Sequence, residues 1–186
     1  MDRTEVLAFP ATAWEREYLE DATLRDLILE YYDRENVAIQ RYLIFSGINP
    51  DSAQESVQEA FLKLHEHLLA GGDRTNLRAW LYRVAHNLAL NAQSAYRSSR
   101  TDSLPDALVA GDLPTDAISP EEALLAKEQT TRLRQAMEQL SPAQKEALVL
   151  RTQGLKYREI ADVLNISVST VGENIQRGLE RLKELL

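Results

Sequence analysis

The chain has 186 residues, with 29 acidic and 21 basic side chains, a formal net charge of −8 and no cysteine. That length supports one or two small domains, and the missing thiols exclude disulfides and thiolate metal sites, which fits a reducing cytoplasm. No apolar run is long enough to span a bilayer and the acidic N-terminus does not resemble a signal peptide, so a cytoplasmic protein without membrane insertion is expected.

Only 7 Gly and 6 Pro occur among frequent Ala, Leu, Glu and Arg, which predicts an all-α chain. Its charge is uneven. The first 73 residues hold 6 basic and 15 acidic side chains, whereas residues 74–100 hold 5 arginines and no acid. Residues 101–122 hold 6 acids and no base, and residues 123–186 hold 10 basic and 8 acidic side chains. A basic island and a mildly basic C-terminal segment thus flank an acidic tether, and local charge is what a phosphate backbone meets.

Residues 1–21 are acidic and poorly periodic, and read as a loose arm leading into helix. Trp14, Tyr18, Leu24, Leu27, Ile28 and Tyr31 then give an apolar stripe at three- and four-residue steps. A separate helix is expected from about Asn36 to Phe45, ending at Ser46-Gly47. The next starts with Asp51 or Ser52 as N-cap and stops at Gly71-Gly72. Val57, Phe61, Leu64 and Leu68 face inward, and Glu55, Gln58, Glu59, Lys63 and Glu66 form an acidic outer face. His65 and His67, two residues apart, lie on different sides of that helix, which argues against a metal pair.

A further helix is predicted from Asn76 to about Tyr96, with Leu77, Trp80, Leu81, Val84, Ala85 and Leu88 buried. Arg74, Arg78, Arg83, Arg97 and Arg100 form the basic island, interleaved with Asn87, Asn91 and Gln93. Cations among amides and aromatics suit phosphate neutralisation together with base contacts. His86 reads as a surface or internally satisfied residue rather than a ligand. Residues 101–120 contain three Pro and four Asp without a basic residue, the composition of a flexible linker.

Helix resumes with Ser119 as N-cap and Pro120 at the first helical position, running through Leu124, Leu125, Leu133 and Met137. Ser141-Pro142 repeats that start, and Gly154 stops the following helix. Another spans Tyr157 to Leu164 with Ile160, Ala161 and Leu164 buried. Asn165 tolerates a left-handed turn, and Ser167 caps a last helix with Val168, Val171, Ile175, Leu179 and Leu182 on its apolar side. Two helices joined by about three residues, with small Ala161 at the crossing, form a helix-turn-helix pattern. Such a motif offers the second helix's side chains to base edges, here Ser169, Thr170, Glu173, Asn174, Arg177 and Arg181. The expected layout is an arm (1–21), a helical domain (22–100), a linker (101–120) and a helix-turn-helix domain (121–186). No phosphate loop, metal cluster or Ser/His/Asp constellation is present, so neither an enzyme nor a cofactor is expected.

SAQESVQEAFLKL followed by LRAWLYRVAHNLALN, and then LSPAQKEALVLR, GLKYREIADVLNIS and STVGENIQRGLERL, resemble the extracytoplasmic-function sigma factors of bacterial RNA polymerase. The resemblance covers about residues 22–186 and implies a region 2-like four-helix domain and a region 4-like helix-turn-helix domain. It implies that Glu55, Gln58, Glu59 and Phe61 dock on core polymerase. It further implies that Arg78, Arg83, Asn87, Asn91, Arg97 and Arg100 hold the melted −10 promoter strand, extruded bases being repaid by a pocket. The residues from Ser169 to Arg181 named above would read the −35 element as duplex, with an anti-sigma factor as a further kind of partner. Where many members carry a basic residue and an Arg, this chain has Gly172 and Asn174, so weak binding to promoter DNA alone is expected. Two alternatives stay open: a stand-alone helix-turn-helix regulator, and a sigma-like decoy that binds an anti-sigma factor.

Overall fold

Neither Gly nor Pro occurs between residues 11 and 46, so nothing interrupts backbone hydrogen bonding there. In the computed structural model a single helix, α1 (Ala13–Phe45), fills that stretch and is about 50 Å long at 1.5 Å per residue. The structure describes residues 13–99 and 120–186, with side chains over 23–94 and 127–186. Within the described residues the chain is all-helical: α1 is followed by α2 (Pro50–Leu69), α3 (Leu77–Ser99), α4 (Pro120–Glu138), α5 (Pro142–Thr152), α6 (Tyr157–Leu164) and α7 (Val168–Leu185). Residues 1–12 of the expected arm, and the expected linker up to Pro120, lie outside the described residues.

Two expectations for the first half are corrected. Helix already covers residues 13–21 of the expected arm, and there is no break at Asn36. The stripe from Leu24 through Ile28 and Tyr31 continues in phase through Glu35, Ile39 and Tyr42, so one helix serves where two were expected. Three described helices therefore build this half. Helix α1 ends at Gly47, whose φ of 89° lets Ile48 N–H return to the Leu43 carbonyl at 3.1 Å. The cap of α2 is Asn49, not Asp51 or Ser52: its Oδ1 accepts from Ser52 N at 2.8 Å, and Pro50 takes the first helical position. Helices α1, α2 and α3 pack around Ile39, Leu43, Val57, Phe61, Leu64, Leu77, Leu81 and Ala85.

The second half follows its local signals. Ser141 and Gln144 form a reciprocal capping box at the start of α5. Gly154 (φ 85°) and Asn165 (φ 52°) supply the left-handed turns on either side of α6. Helix α7 buries Val171, Ile175 and Gly178. Val168 and Leu179, expected inside, are exposed. The reason for Leu179 is close approach: a Cβ on Gly178 would stand 2.8 Å from Leu148 Cδ1, so α7 meets α5 through Gly178 and turns Leu179 outward. Val168 sits in the first turn of α7. Helix α6 packs on α3 and α5 touches α1, making one continuous core across both halves.

Candidate nucleic-acid interface

The connection from α2 to α3 is built by local polar contacts. Gly71 takes φ 73°, and a Cβ on Gly72 would run into the imidazole of His67. That ring stacks on Trp80 with centroids 5.0 Å apart, and its Nε2 lies 3.0 Å from the Asp73 carbonyl oxygen, so Nε2 carries the hydrogen. The Asp73 carboxylate accepts from Thr75 N at 2.8 Å and from Thr75 Oγ1 at 2.6 Å. Those two bonds hold its pKa below the ordinary value. Asn76, at φ 60°, then turns the chain into α3. The result is a polar cavity of about 360 Å³ lined by His67, Asp73, Thr75, Asn76, Trp80 and Arg83, with Asp162 of α6 on its wall.

Along α3, Arg83, Asn87 and Asn91 are exposed and spaced four residues apart, so they share one helical face that starts at this cavity. Arg78 is placed differently. Its Nε lies 2.9 and 3.0 Å from the two carboxylate oxygens of Glu35, whose side chain is only 5% exposed. Burial alone would lower the Arg78 pKa, but the hydrogen bond and charge of Glu35 outweigh it and raise it. The guanidinium also lies over the Tyr82 ring, whose hydroxyl burial and the Glu35 charge push up to about 12. The Arg97 side chain and all of Arg100 lie outside the described residues. His86 is buried and satisfied: its Nδ1 is 2.8 Å from the Tyr42 hydroxyl, pinning α3 to α1, and burial lowers its pKa.

On α7, Ser169, Thr170, Glu173, Arg177 and Arg181 are exposed and Asn174 is half-buried. The hydroxyls of Ser169 and Thr170 both lie 2.7 Å from Ser167 Oγ at the helix start. Arg177 pairs with Glu173 at 3.3 Å and Arg181 with Glu184 at 2.9 Å. Tyr157, at the start of α6, lies beside Gly172 and under the Arg151 guanidinium.

A third surface lies between α1 and α2. Arg25, Ile28, Leu29, Tyr32, Gln58, Phe61, Leu62 and His65 line a mostly apolar groove of about 550 Å³. Leu62 is 66% exposed and Leu29 49%, the kind of open apolar surface that marks a binding site. Gln58 stands on its rim with Glu55 and Glu59 exposed along the same helix, Glu59 paired with Lys63 at 3.4 Å. Phe61 is only 6% exposed and packs edge-on against Tyr32, so it shapes the groove floor. Sequence reasoning missed the cavity residues His67, Asp73, Thr75 and Asn76; the one local signal was the Gly-Gly-Asp turn preceding the arginines. It also missed Leu29 and Leu62, which sit off the buried stripes of their helices.

Among the described residues no group of three or more His, Cys, Asp or Glu is placed to hold a metal ion. No helix among them is long and apolar enough to cross a membrane.

Residues 30–100 match the profile of Sigma-70 region 2 and residues 130–182 that of Sigma-70, region 4. The RNA polymerase sigma factor SigZ of Bacillus subtilis is 30% identical over 161 residues, covering 86% of each chain. The ECF RNA polymerase sigma-E factor of Escherichia coli is 31% identical over 162 residues, covering 84% of this chain and 82% of that one. Among solved structures, the sigma factor RpoE of Bartonella quintana, in complex with the anti-sigma factor NepR, superposes with a TM-score of 0.62 at 19% identity. That match covers 84% of this chain and 94% of the other. CnrH in complex with the cytosolic domain of CnrY gives 0.57 at 22% identity, over 90% and 94% of the two chains. The region 2 match falls where the stand-alone regulator reading requires an unrelated sensor domain, which sets that reading aside. With relatives that align over most of both halves, the chain belongs to the extracytoplasmic-function sigma factors of bacterial RNA polymerase.

Proposed function

We propose that the chain directs core RNA polymerase to promoters by three separate surfaces. The observation that carries this reading is the alignment of Arg83, Asn87 and Asn91 on one exposed face of α3 that leads into the polar cavity. A melted −10 strand lies along that face. Arginine meets phosphate, the asparagine amides meet base edges, and an extruded base enters the cavity beside Trp80, whose ring offers a stacking surface. The exposed edge of α7 from Ser169 to Arg181 reads the −35 element in the major groove. The apolar groove with Leu29, Leu62 and Gln58, together with Glu55 and Glu59 exposed on the same helix, docks on polymerase; apolar centre and charged surroundings are the usual anatomy of such a contact. The chain works in the cytoplasm with polymerase, which carries out the chemistry of RNA synthesis, and an anti-sigma factor is a further partner.

Run-off transcription with purified core polymerase and a library of genomic DNA fragments tests this. Transcripts sharing spaced −10 and −35 sequences are expected. With such a promoter, Asn87→Ala and Asn91→Ala impair opening and leave polymerase binding unchanged. Polymerase binding without any promoter-selective transcript would instead identify a decoy.

A further inference from the structure

Helix α7 contains two glycines, Gly172 and Gly178, and the packing of the described residues accounts for one of them. Gly178 lets α7 approach Leu148 of α5. Gly172 makes no such approach: a Cβ there would meet Tyr157 Cε2 at 3.8 Å, an ordinary contact. Its backbone does not call for glycine either, since it lies inside regular helix without a positive φ. A glycine in a helix interior weakens that helix, and one with no internal reason points to close approach from outside the chain. Two exposed apolar side chains flank the gap. Val168 is 44% exposed and stands one turn before Gly172 on the same face of α7. Tyr157, at the start of α6, is 41% exposed. The Arg151 guanidinium lies 5.9 Å from the centroid of that ring and donates from Nη1 to the Leu155 carbonyl at 3.1 Å. The ring is therefore held in place before any ligand arrives.

We propose that Gly172, Val168 and Tyr157 form a thymine-reading notch, in which the C5-methyl of one thymine of the −35 element seats against the Gly172 Cα, between the valine side chain and the tyrosine ring. The inference rests on the reading of α7 given above and adds a base that it selects. The occupant follows from the chemistry of the major groove. Its base edges carry hydrogen-bond donors and acceptors, and the thymine methyl is the apolar group among them. Gly172 and Val168 have no polar side-chain atom, and Tyr157 turns ring carbon toward the gap. An amino or carbonyl group pressed into it would lose water without gaining a partner. Exposed Ser169, Thr170 and Glu173 lie within three residues of Gly172 along the same helix, so the apolar notch sits among groups that meet polar base edges. Glu173 favours a cytosine amino group and the notch favours a thymine methyl, so adjacent residues of α7 tell the two pyrimidines apart.

Duplexes are selected from random-sequence DNA on the full-length chain bound to core polymerase. Each thymine of the enriched −35 sequence is then replaced by deoxyuridine, which deletes the methyl group alone. One position is expected to respond, with about a fourfold loss of affinity for one buried methyl. Gly172→Ala fills the notch with a methyl of its own. It is expected to bind the thymine duplex about tenfold more weakly, through overpacking, and to prefer the deoxyuridine duplex, reversing the order seen with the unmodified chain. Val168→Ser should bring the ratio between the two duplexes toward one. A melting temperature of Gly172→Ala at or above that of the parent shows that the weaker binding is not unfolding. Three results overturn the proposal while leaving the −35 reading standing: an enriched sequence without thymine, tolerance of deoxyuridine at every thymine, or an unreversed preference in Gly172→Ala. Failure of the −35 reading itself looks different: no sequence is enriched at a fixed spacing from the −10 element, and the notch falls with it.

Discussion

Replacing Arg78 with alanine separates a structural role from a DNA contact. The sequence suggests a strand-binding arginine, but the structure places its Nε against both oxygens of Glu35, at 2.9 and 3.0 Å. Removing the guanidinium leaves a carboxylate that is 5% exposed without its charged partner. Breaking a fully buried ion pair in this way costs about 3–5 kcal/mol. The Arg78 side chain is itself 36% exposed, so water reaches part of the vacated space and screens the orphaned charge. A loss of about 2–3 kcal/mol is the appropriate discount. For a chain of this size 1 kcal/mol moves Tm by about 2–4 °C, which gives a fall of about 4–12 °C in a calorimetric scan. Adding Glu35→Leu to Arg78→Ala removes the stranded charge and fills its space with apolar volume, and the double variant should regain most of the loss. Promoter opening by folded Arg78→Ala protein, measured well below its Tm, should change little. An unaltered Tm with impaired opening, and no rescue by Glu35→Leu, would refute the structural assignment and return Arg78 to the DNA.

The two helical glycines of α7 should respond with opposite signs. A Cβ at Gly172 meets only Tyr157 at 3.8 Å, so Gly172→Ala should stabilise by about 1 kcal/mol through helix propensity. Gly178→Ala forces Leu148 aside and should cost about 1–3 kcal/mol; thermal melts of both variants moving the same way would contradict that packing. Leu29→Ser with Leu62→Ser should weaken polymerase binding about tenfold or more at unchanged helicity, by removing apolar anchors. Equal affinity in a competition assay would move the docking surface elsewhere. Burial holds the His86 imidazole below its ordinary 6.5, so its stabilising contribution is complete above about pH 6.5 and is lost as pH falls through the lowered folded value. Glu146 acts oppositely: its pKa lies above the ordinary 4.5, so its contribution is complete below about pH 4.5 and is lost as pH rises through the raised value. Melts across pH should show the acid limb flattened in His86→Gln and the upper limb flattened in Glu146→Gln; an unchanged His86→Gln profile would place the acid titration on another group.

Local chemistry was legible wherever one residue decides one backbone feature. Ser141-Pro142, Gly154, Asn165 and Ser167 were each assigned the role they have, because caps and left-handed turns depend on a residue and its immediate neighbours. The same logic applied to Asn49-Pro50 would have given the cap of α2, which the Asp51 or Ser52 reading placed too late. What stayed hidden depends on tertiary partners. Asn36 looks like a helix start only until Glu35 is known to be buried against Arg78. The exposed face of α3 was visible as Arg83, Asn87 and Asn91. The cavity at its end was not, since it needs the His67 ring folded over Gly72 and a residue of α6, Asp162, from 79 positions after Arg83. Leu29 and Leu62 escaped notice because an exposed leucine has no signature until a groove forms beneath it.

Charge arrangement gives a physical reason to expect that this acidic chain holds DNA weakly when alone. On α7 the two arginines facing outward each have a carboxylate of their own, Glu173 for Arg177 and Glu184 for Arg181. These pairs are exposed, and such pairs are worth about 0–1 kcal/mol, so a phosphate can displace either carboxylate at small cost. The displaced carboxylates remain near the duplex, however, and subtract from the long-range attraction that nonspecific binding depends on. Glu173 becomes favourable only where it accepts from a cytosine amino group, which turns a general penalty into a sequence filter. Useful affinity must then come from holding both readers on one polymerase, where each raises the local concentration of the other. A free chain that binds poorly and a polymerase-bound chain that binds selectively would both follow from the same residues.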